Sequence, residues 1–292
     1  MATEKGLITK GFGELFEVKL TSGEVIHCTI RGSVKHKNTI PLVGDNVIVQ
    51  IQNSGKSVIT DISERKNFLI RPPIANLDKL FIVCATTNPT PSFETIDKIT
   101  CAATAKDIEP ILVINKTDLY SSSEIKSIYE KSKIKIFEVC AKQNEGIDKL
   151  KEQISGICAF AGSSGVGKSS LMNALFPNLK LTVGSLSDKS GRGKHTTRTV
   201  ELFEFDGGYF ADTPGFALID FEKFDFLTLK QLPESFPEFL PFLKNCKYTD
   251  CTHTKEGDDC GIYKAVIENQ ISKSRYENYL QFYYTLKNKK IY

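Results

Sequence analysis

Between Gly6 and Ile70, apolar and polar positions alternate in short runs broken by turn residues: Glu14 to Leu20, Glu24 to Ile30, Asp45 to Ile51 and Ser57 to Ile62. A period of two sends successive side chains to opposite faces, so each run predicts a strand with one buried side. About five such strands in this length predict a small β-barrel of the OB-fold type.

After Pro72 and Pro73 the pattern changes. The runs Lys79 to Cys84, Pro110 to Ile114, Ile134 to Val139 and Ile157 to Ala161 are almost wholly apolar and alternate with stretches of helical spacing. Strands of that kind are buried on both faces, which predicts a mostly parallel sheet covered by helices. Gly208 to Ala211 reads as one more strand, and Gly146 to Ile154 as a helix with Ile147, Leu150 and Ile154 on one face. From about Phe221 the chain is aromatic and loop-rich, with Pro233, Pro237 and Pro241 in succession, and from Ile262 it is helical and ends basic at Lys287, Lys289 and Lys290. The expected organisation is multi-domain: an N-terminal OB-fold barrel over 1–72, a central α/β domain over 73–222 and a C-terminal helical domain over 223–292.

Composition narrows this only a little. Of 292 residues, 40% are hydrophobic and 25% charged, which excludes a disordered or fibrous chain. Thirty-eight basic against 35 acidic residues leave a net charge of +3, too near balance for a chain that coats itself in nucleic acid, so polyanion contacts must be local. No apolar run is long enough to cross a bilayer and Met1 to Lys10 has no secretion-signal character, so the expectation is a cytoplasmic protein without membrane contact. The absence of heptads favours a monomer. Cys28, Cys84, Cys101, Cys140 and Cys158 stand singly in apolar surroundings and read as buried thiols.

The chemistry is concentrated in a few motifs. Gly162, Ser163, Ser164, Gly165, Val166, Gly167, Lys168 and Ser169 satisfy G-x-x-x-x-G-K-[ST], between an apolar strand and a helical stretch beginning Ser169, Ser170. In that context backbone N–H groups wrap phosphate at a helix N-terminus, Lys168 reaches the β- and γ-phosphates, and the Ser169 hydroxyl ligates Mg²⁺. Asn115, Lys116 and Asp118 form an N-K-x-D turn at the carboxyl end of a buried strand, where open α/β sheets bind ligands. The Asp118 carboxylate accepts from N1–H and the exocyclic amino group of guanine; adenine would leave it unpaired, so GTP is favoured and an ATP-dependent kinase disfavoured. Ala141 and Lys142, after Cys140, match the base-supporting element that ends a strand in GTP-binding proteins. Asp212 and Gly215 belong to a D-x-x-G turn that can hold Mg²⁺ through water and meet the γ-phosphate. Thr196 or Thr197 supplies a further Mg²⁺ ligand, Thr197 being preferred.

Cys246, Cys251, His253 and Cys260 supply three thiolates and one imidazole, a complete tetrahedral set for one structural Zn²⁺ with no open position.

The motif order is rotated: the base-reading turn precedes the phosphate loop, which precedes Asp212 and Gly215, so the GTPase domain is circularly permuted. The D-x-x-G turn then leads directly into the C-terminal region. With its barrel and Cys/His cluster, the chain resembles the ribosome small-subunit-dependent GTPase A family over nearly its whole length. The resemblance implies a late assembly factor for the small ribosomal subunit, with rRNA bound by the barrel and the zinc region and GTP hydrolysed to GDP when the subunit stimulates it. Arg65, Lys66 and Arg71, with the basic tail, are candidate phosphate contacts. Phe216 stands where Ras-like proteins carry a water-orienting glutamine. His195, beside the threonines, is therefore the candidate to orient the attacking water, a role toward which the resemblance also points. Phe216 equally supports the alternative of an RNA-binding scaffold with GTP as a structural ligand.

Overall fold

The structure is a computed structural model that describes residues 2–30, 40–52, 56–70, 72–177, 200–205, 207–212, 227–257 and 259–288, Asp212 through its backbone alone. In chain order the strands are β1 (Thr3–Phe12), β2 (Leu15–Leu20), β3 (Val25–Ile30), β4 (Asn46–Gln50), β5 (Ser57–Ile62), β6 (Phe68–Ile70), β7 (Pro73–Ala75), β8 (Lys79–Ala85), β9 (Glu109–Asn115), β10 (Lys135–Glu138), β11 (Gly156–Ala161), β12 (Glu201–Phe205) and β13 (Gly208–Asp212). The α-helices are α1 (Phe93–Thr104), α2 (Ser123–Tyr129), α3 (Ile147–Lys151), α4 (Lys168–Leu175), α5 (Gly261–Ile267) and α6 (Lys273–Lys287). The chain divides into two compact units, one of Met1–Lys79, Ile154–Phe160 and Leu186–Phe216, the other of Leu80–Gln153, Ala161–Ser185 and Ala217–Tyr292.

In the first unit, β1 pairs antiparallel with both β2 and β4, β2 with β3, β4 with β5, and β3 lies parallel to β5. That circuit closes a five-stranded barrel, the OB-type arrangement expected from the alternation. β2 alternates half-buried and buried positions strictly, and its Phe16, Val18 and Leu20 are buried, as are Ile8, Cys28, Val47, Val49 and Ile59 of the other barrel strands. Arg65 is not free for an RNA phosphate: its guanidinium grips the buried Asp45 at 2.6 and 2.7 Å and the Ile40 carbonyl at 2.6 Å. Lys66 pairs with Asp78. Arg71 and the basic pair Lys289 and Lys290 lie outside the described residues. The same unit carries β11 parallel to β13, and β13 antiparallel to β12, a strand whose half-polar sequence gave no prior signal.

In the second unit, β8, β9 and β10 lie side by side, β9 parallel to β10. Their centres, Phe81 to Val83 and Ile111 to Ile114, are fully buried, as their apolar sequence requires. Ser92 caps α1 by accepting from the Thr95 N–H. The helix expected over Gly146 to Ile154 is shorter: α3 ends at Lys151, although Ile147, Leu150 and Ile154 are all buried. The C-terminal helical run is two helices, interrupted where Asn269 takes a left-handed φ of 57°. Their core joins Phe236, Phe239, Ile262, Tyr276, Tyr279 and Phe282 with Cys101 of α1. Among the described residues no helix is long and apolar enough to cross a membrane.

Candidate nucleotide and metal sites

The phosphate loop runs from the end of β11 into α4, and its glycines answer to close contacts. Gly162 has φ 136°, and a Cβ there would stand 2.1 Å from the Val83 carbonyl oxygen. At Gly167, with φ 99°, a Cβ would stand 2.3 Å from Asn115 Nδ2. Only glycine allows this path. Lys168 opens α4 with its ammonium donating to the Gly162 and Ser163 carbonyls, at 2.8 Å each. Burial lowers that ammonium to about 8, because desolvation penalises the charged form. Ser169 and Ser170 follow in the first turn, half-buried, while Ser164 and Gly165 are exposed at the tip.

The N-K-x-D turn is wired to this loop. Asn115 Nδ2 donates to the Val166 carbonyl at 2.9 Å, and its Oδ1 accepts from the Ala141 N–H at 3.2 Å. Lys116 donates to the Gly165 carbonyl at 2.8 Å and also to the Asn88 carbonyl. The Thr117 hydroxyl donates to the Val139 carbonyl at 3.2 Å. Asp118 is exposed; one oxygen accepts from the Cys140 thiol at 3.2 Å, and the carboxylate otherwise faces solvent. Lys142, which follows Ala141, is exposed. Among the predicted residues, therefore, Asn115, Lys116, Asp118, Ala141 and Gly162 to Lys168 are held in one bonded cluster.

Thr196, Thr197, His195 and Gly215 lie outside the described residues. Asp212 ends β13. Thr86 and Asn88, which sequence reasoning did not single out, contact the turn directly. Their position just past the carboxyl end of an apolar strand, where such sheets bind ligands, was the available signal.

Cys246, Cys251, His253 and Cys260 converge so that their ligand atoms all lie within 4.8 Å of one another. His253 Nδ1 is 3.5 Å from Cys246 Sγ and 3.7 Å from Cys260 Sγ. Tetrahedral zinc with bonds of about 2.0–2.3 Å separates its ligands by about 3.5–3.8 Å, so the residues fit that ion. The Gly261 and Tyr263 N–H groups donate to Cys246 Sγ and Cys260 Sγ, at 3.3 and 3.4 Å, which suits thiolates. Without a cation, burial pushes the Cys260 thiol up to about 12 and lowers the His253 imidazole. Tyr276 and Tyr279 of α6 donate their hydroxyls to the His253 and Thr252 carbonyls at 2.9 and 2.8 Å, fixing the loop on which His253 takes φ 56°.

A phosphate loop and an N-K-x-D turn in rotated chain order, in a chain that also carries an OB-type barrel and a Cys₃His cluster, define a circularly permuted GTPase fold. The model of the RsgA GTPase matches residues 62–222 and that of the RsgA N-terminal domain residues 5–59. A "Small ribosomal subunit biogenesis GTPase RsgA" of Caldanaerobacter subterraneus subsp. tengcongensis is 39% identical over 290 residues, covering 98% of this chain and 96% of that protein. Another, of Geobacillus kaustophilus, is 38% identical over 293 residues, covering 98% of each. The crystal structure of YjeQ from Thermotoga maritima superimposes with a TM-score of 0.82 at 34% identity, over 99% of this chain and all of that one. YloQ, described as a circularly permuted GTPase, gives 0.82 at 29% identity, over 100% of this chain and 97% of its own. The chain belongs to the RsgA GTPase family.

Proposed function

We propose that this protein is a GTPase that assists assembly of the small ribosomal subunit in the cytoplasm, as a monomer that binds rRNA and is released when GTP becomes GDP and phosphate. The observation that carries the reading is the end-to-end similarity to small-subunit biogenesis GTPases, together with the bonded cluster of base-reading turn and phosphate loop. The three-part division at 1–72, 73–222 and 223–292 belongs to the same reading, although the two family models adjoin at residues 59 and 62, ahead of its first boundary.

In this reading Asp118 selects guanine, supported by Asn115, Lys116, Ala141 and Lys142. Gly162 to Gly167 offer backbone N–H groups to the phosphates. Lys168 exchanges its two carbonyl acceptors for phosphate oxygens. Ser169, Thr197 or Thr196, and Asp212 through water are the candidate holders of Mg²⁺, which supplies charge neutralisation on the phosphates, and the Gly215 N–H meets the γ-phosphate. Cys246, Cys251, His253 and Cys260 hold one Zn²⁺, whose role is structural, tying the loop ahead of α5 and α6 into place. Because Phe216 cannot orient water, His195 takes that role when the ribosomal subunit is bound.

The test is GTP turnover with and without purified small ribosomal subunits over a salt series. Stimulation is expected, falling as salt screens RNA phosphates. Turnover that ignores the subunit, despite tight GTP binding, would favour the scaffold reading that Phe216 keeps in play. His195→Ala with the wild-type stimulated rate and retained subunit binding removes His195 from the chemistry.

A further inference from the structure

We infer that Thr86 is a positioning residue for guanine recognition, acting through the peptide groups that carry Asp118; the inference rests on the guanine-site reading above. Thr86 lies just past the end of β8 and is 6% exposed. Its backbone N–H donates to the Asn115 carbonyl at 3.0 Å, and its hydroxyl donates to the Lys116 carbonyl at 2.7 Å. One residue thus fixes two successive peptide planes of the N-K-x-D turn.

The second plane matters more. The Lys116 carbonyl also accepts the Leu119 N–H at 3.0 Å, which closes a four-residue turn with Asp118 inside it. The oxygen on which that turn hangs is therefore held from outside by Thr86. Lys116 itself has φ 63°, a left-handed conformation that a side chain with a Cβ adopts only when its surroundings enforce it. The Lys116 ammonium, bonded to the Asn88 and Gly165 carbonyls, fixes the side chain. Thr86 fixes the main chain, and the carboxylate of Asp118 takes its bearing from both.

A valine at 86 keeps shape and burial but removes the donor. Asn115, Ala141 and the phosphate loop keep their own bonds, so phosphate binding should survive while the aim of Asp118 loosens. The expected signature is selective. Guanine presents N1–H and a 2-amino group to Asp118, whereas hypoxanthine presents N1–H alone, so a mis-aimed carboxylate penalises GDP more than IDP.

The experiment measures affinities of fluorescent GDP and IDP analogues for wild type, Thr86→Val, Thr86→Ser and Asp118→Ala, with far-UV melting curves on each. Thr86→Val should bind GDP about tenfold more weakly, with the GDP-to-IDP preference moving most of the way to that of Asp118→Ala. Thr86→Ser, which keeps the hydroxyl, should retain the wild-type preference. Should Thr86→Val not fold, the serine variant still decides, since a lost preference in a folded Thr86→Ser overturns the inference. A wild-type preference in folded Thr86→Val also overturns it, leaving the guanine site intact. Wild type that binds neither nucleotide removes the guanine-site reading and the inference with it.

Discussion

Asn115 and Val166, fifty-one positions apart, share a hydrogen bond of 2.9 Å from the side-chain amide to the loop carbonyl. The base-reading turn and the phosphate loop are thereby one assembly, and neither can shift without the other. Glycine at 167 is what lets the amide in.

Gly167→Ala should consequently abolish that assembly. Its Cβ would meet Asn115 Nδ2 at 2.3 Å, at a backbone φ of 99° that disfavours any side chain. GTP affinity should fall tenfold or more, roughly 1.4 kcal/mol. Calorimetric titration checks this, and wild-type affinity in the variant would contradict the close approach.

Lys168 makes nucleotide binding depend on pH. Burial lowers its ammonium to about 8, and bound phosphate would favour the protonated form. Below about pH 8 the charge is already present and affinity is flat. As pH rises through 8 the free protein loses the proton that the complex needs, so binding takes up a proton and weakens, approaching tenfold per pH unit. Titrations at pH 8.5 in two buffers of different ionisation enthalpy should reveal the uptake; equal heats would refute it.

Arg275 is a fully buried guanidinium shared by Asp97 of α1, at 2.5 Å, and Glu238, whose second oxygen lies at 3.1 Å. Asp97 also accepts from the Tyr129 hydroxyl at 2.8 Å and from Asn278 at 2.6 Å. Desolvation raises the Asp97 carboxyl above its usual range, against the pull of Arg275. Arg275→Met strands two buried carboxylates and should cost about 3–5 kcal/mol, read by urea denaturation. Adding Asp97→Asn and Glu238→Gln should recover much of that. A loss below about 1 kcal/mol in the single variant would show the network to be dispensable.

The Cys₃His cluster should carry one zinc per chain by native mass spectrometry, and its stripping should loosen the packing of α6, visible as altered tyrosine near-ultraviolet dichroism. Tyr276→Phe with Tyr279→Phe removes both bonds to the Thr252–His253 loop. Zinc transfer to a chromogenic chelator should then speed up about tenfold. An unchanged transfer rate would mean that the four ligands alone set the affinity.

Much of this was legible because each signal is local. Strict alternation in Leu15 to Leu20 could be satisfied only by a half-buried strand, and the apolar run Ile111 to Ile114 only by one buried on both sides. The phosphate loop, the N-K-x-D turn and the Cys/His spacing carry their chemistry in residue type and separation. By contrast, β12 was invisible because its pattern Glu201 to Phe205 is made favourable by pairing with β13, a partner that no local period encodes. Arg65 was misjudged for a similar reason: an arginine at a domain boundary reads as free charge until Asp45 is found against it.

The sequence by itself determined most of the barrel and α/β strands, the rotated order of the nucleotide motifs and the Cys/His spacing that suits a metal, since propensity, spacing and ligand chemistry act over a few residues. Only the tertiary structure decided that Thr86 holds the Lys116 carbonyl, that Arg275 answers Asp97 across 178 positions, and that two tyrosines grip the Thr252–His253 loop. Those bonds depend on where distant backbone segments arrive, and desolvation then makes each of them matter.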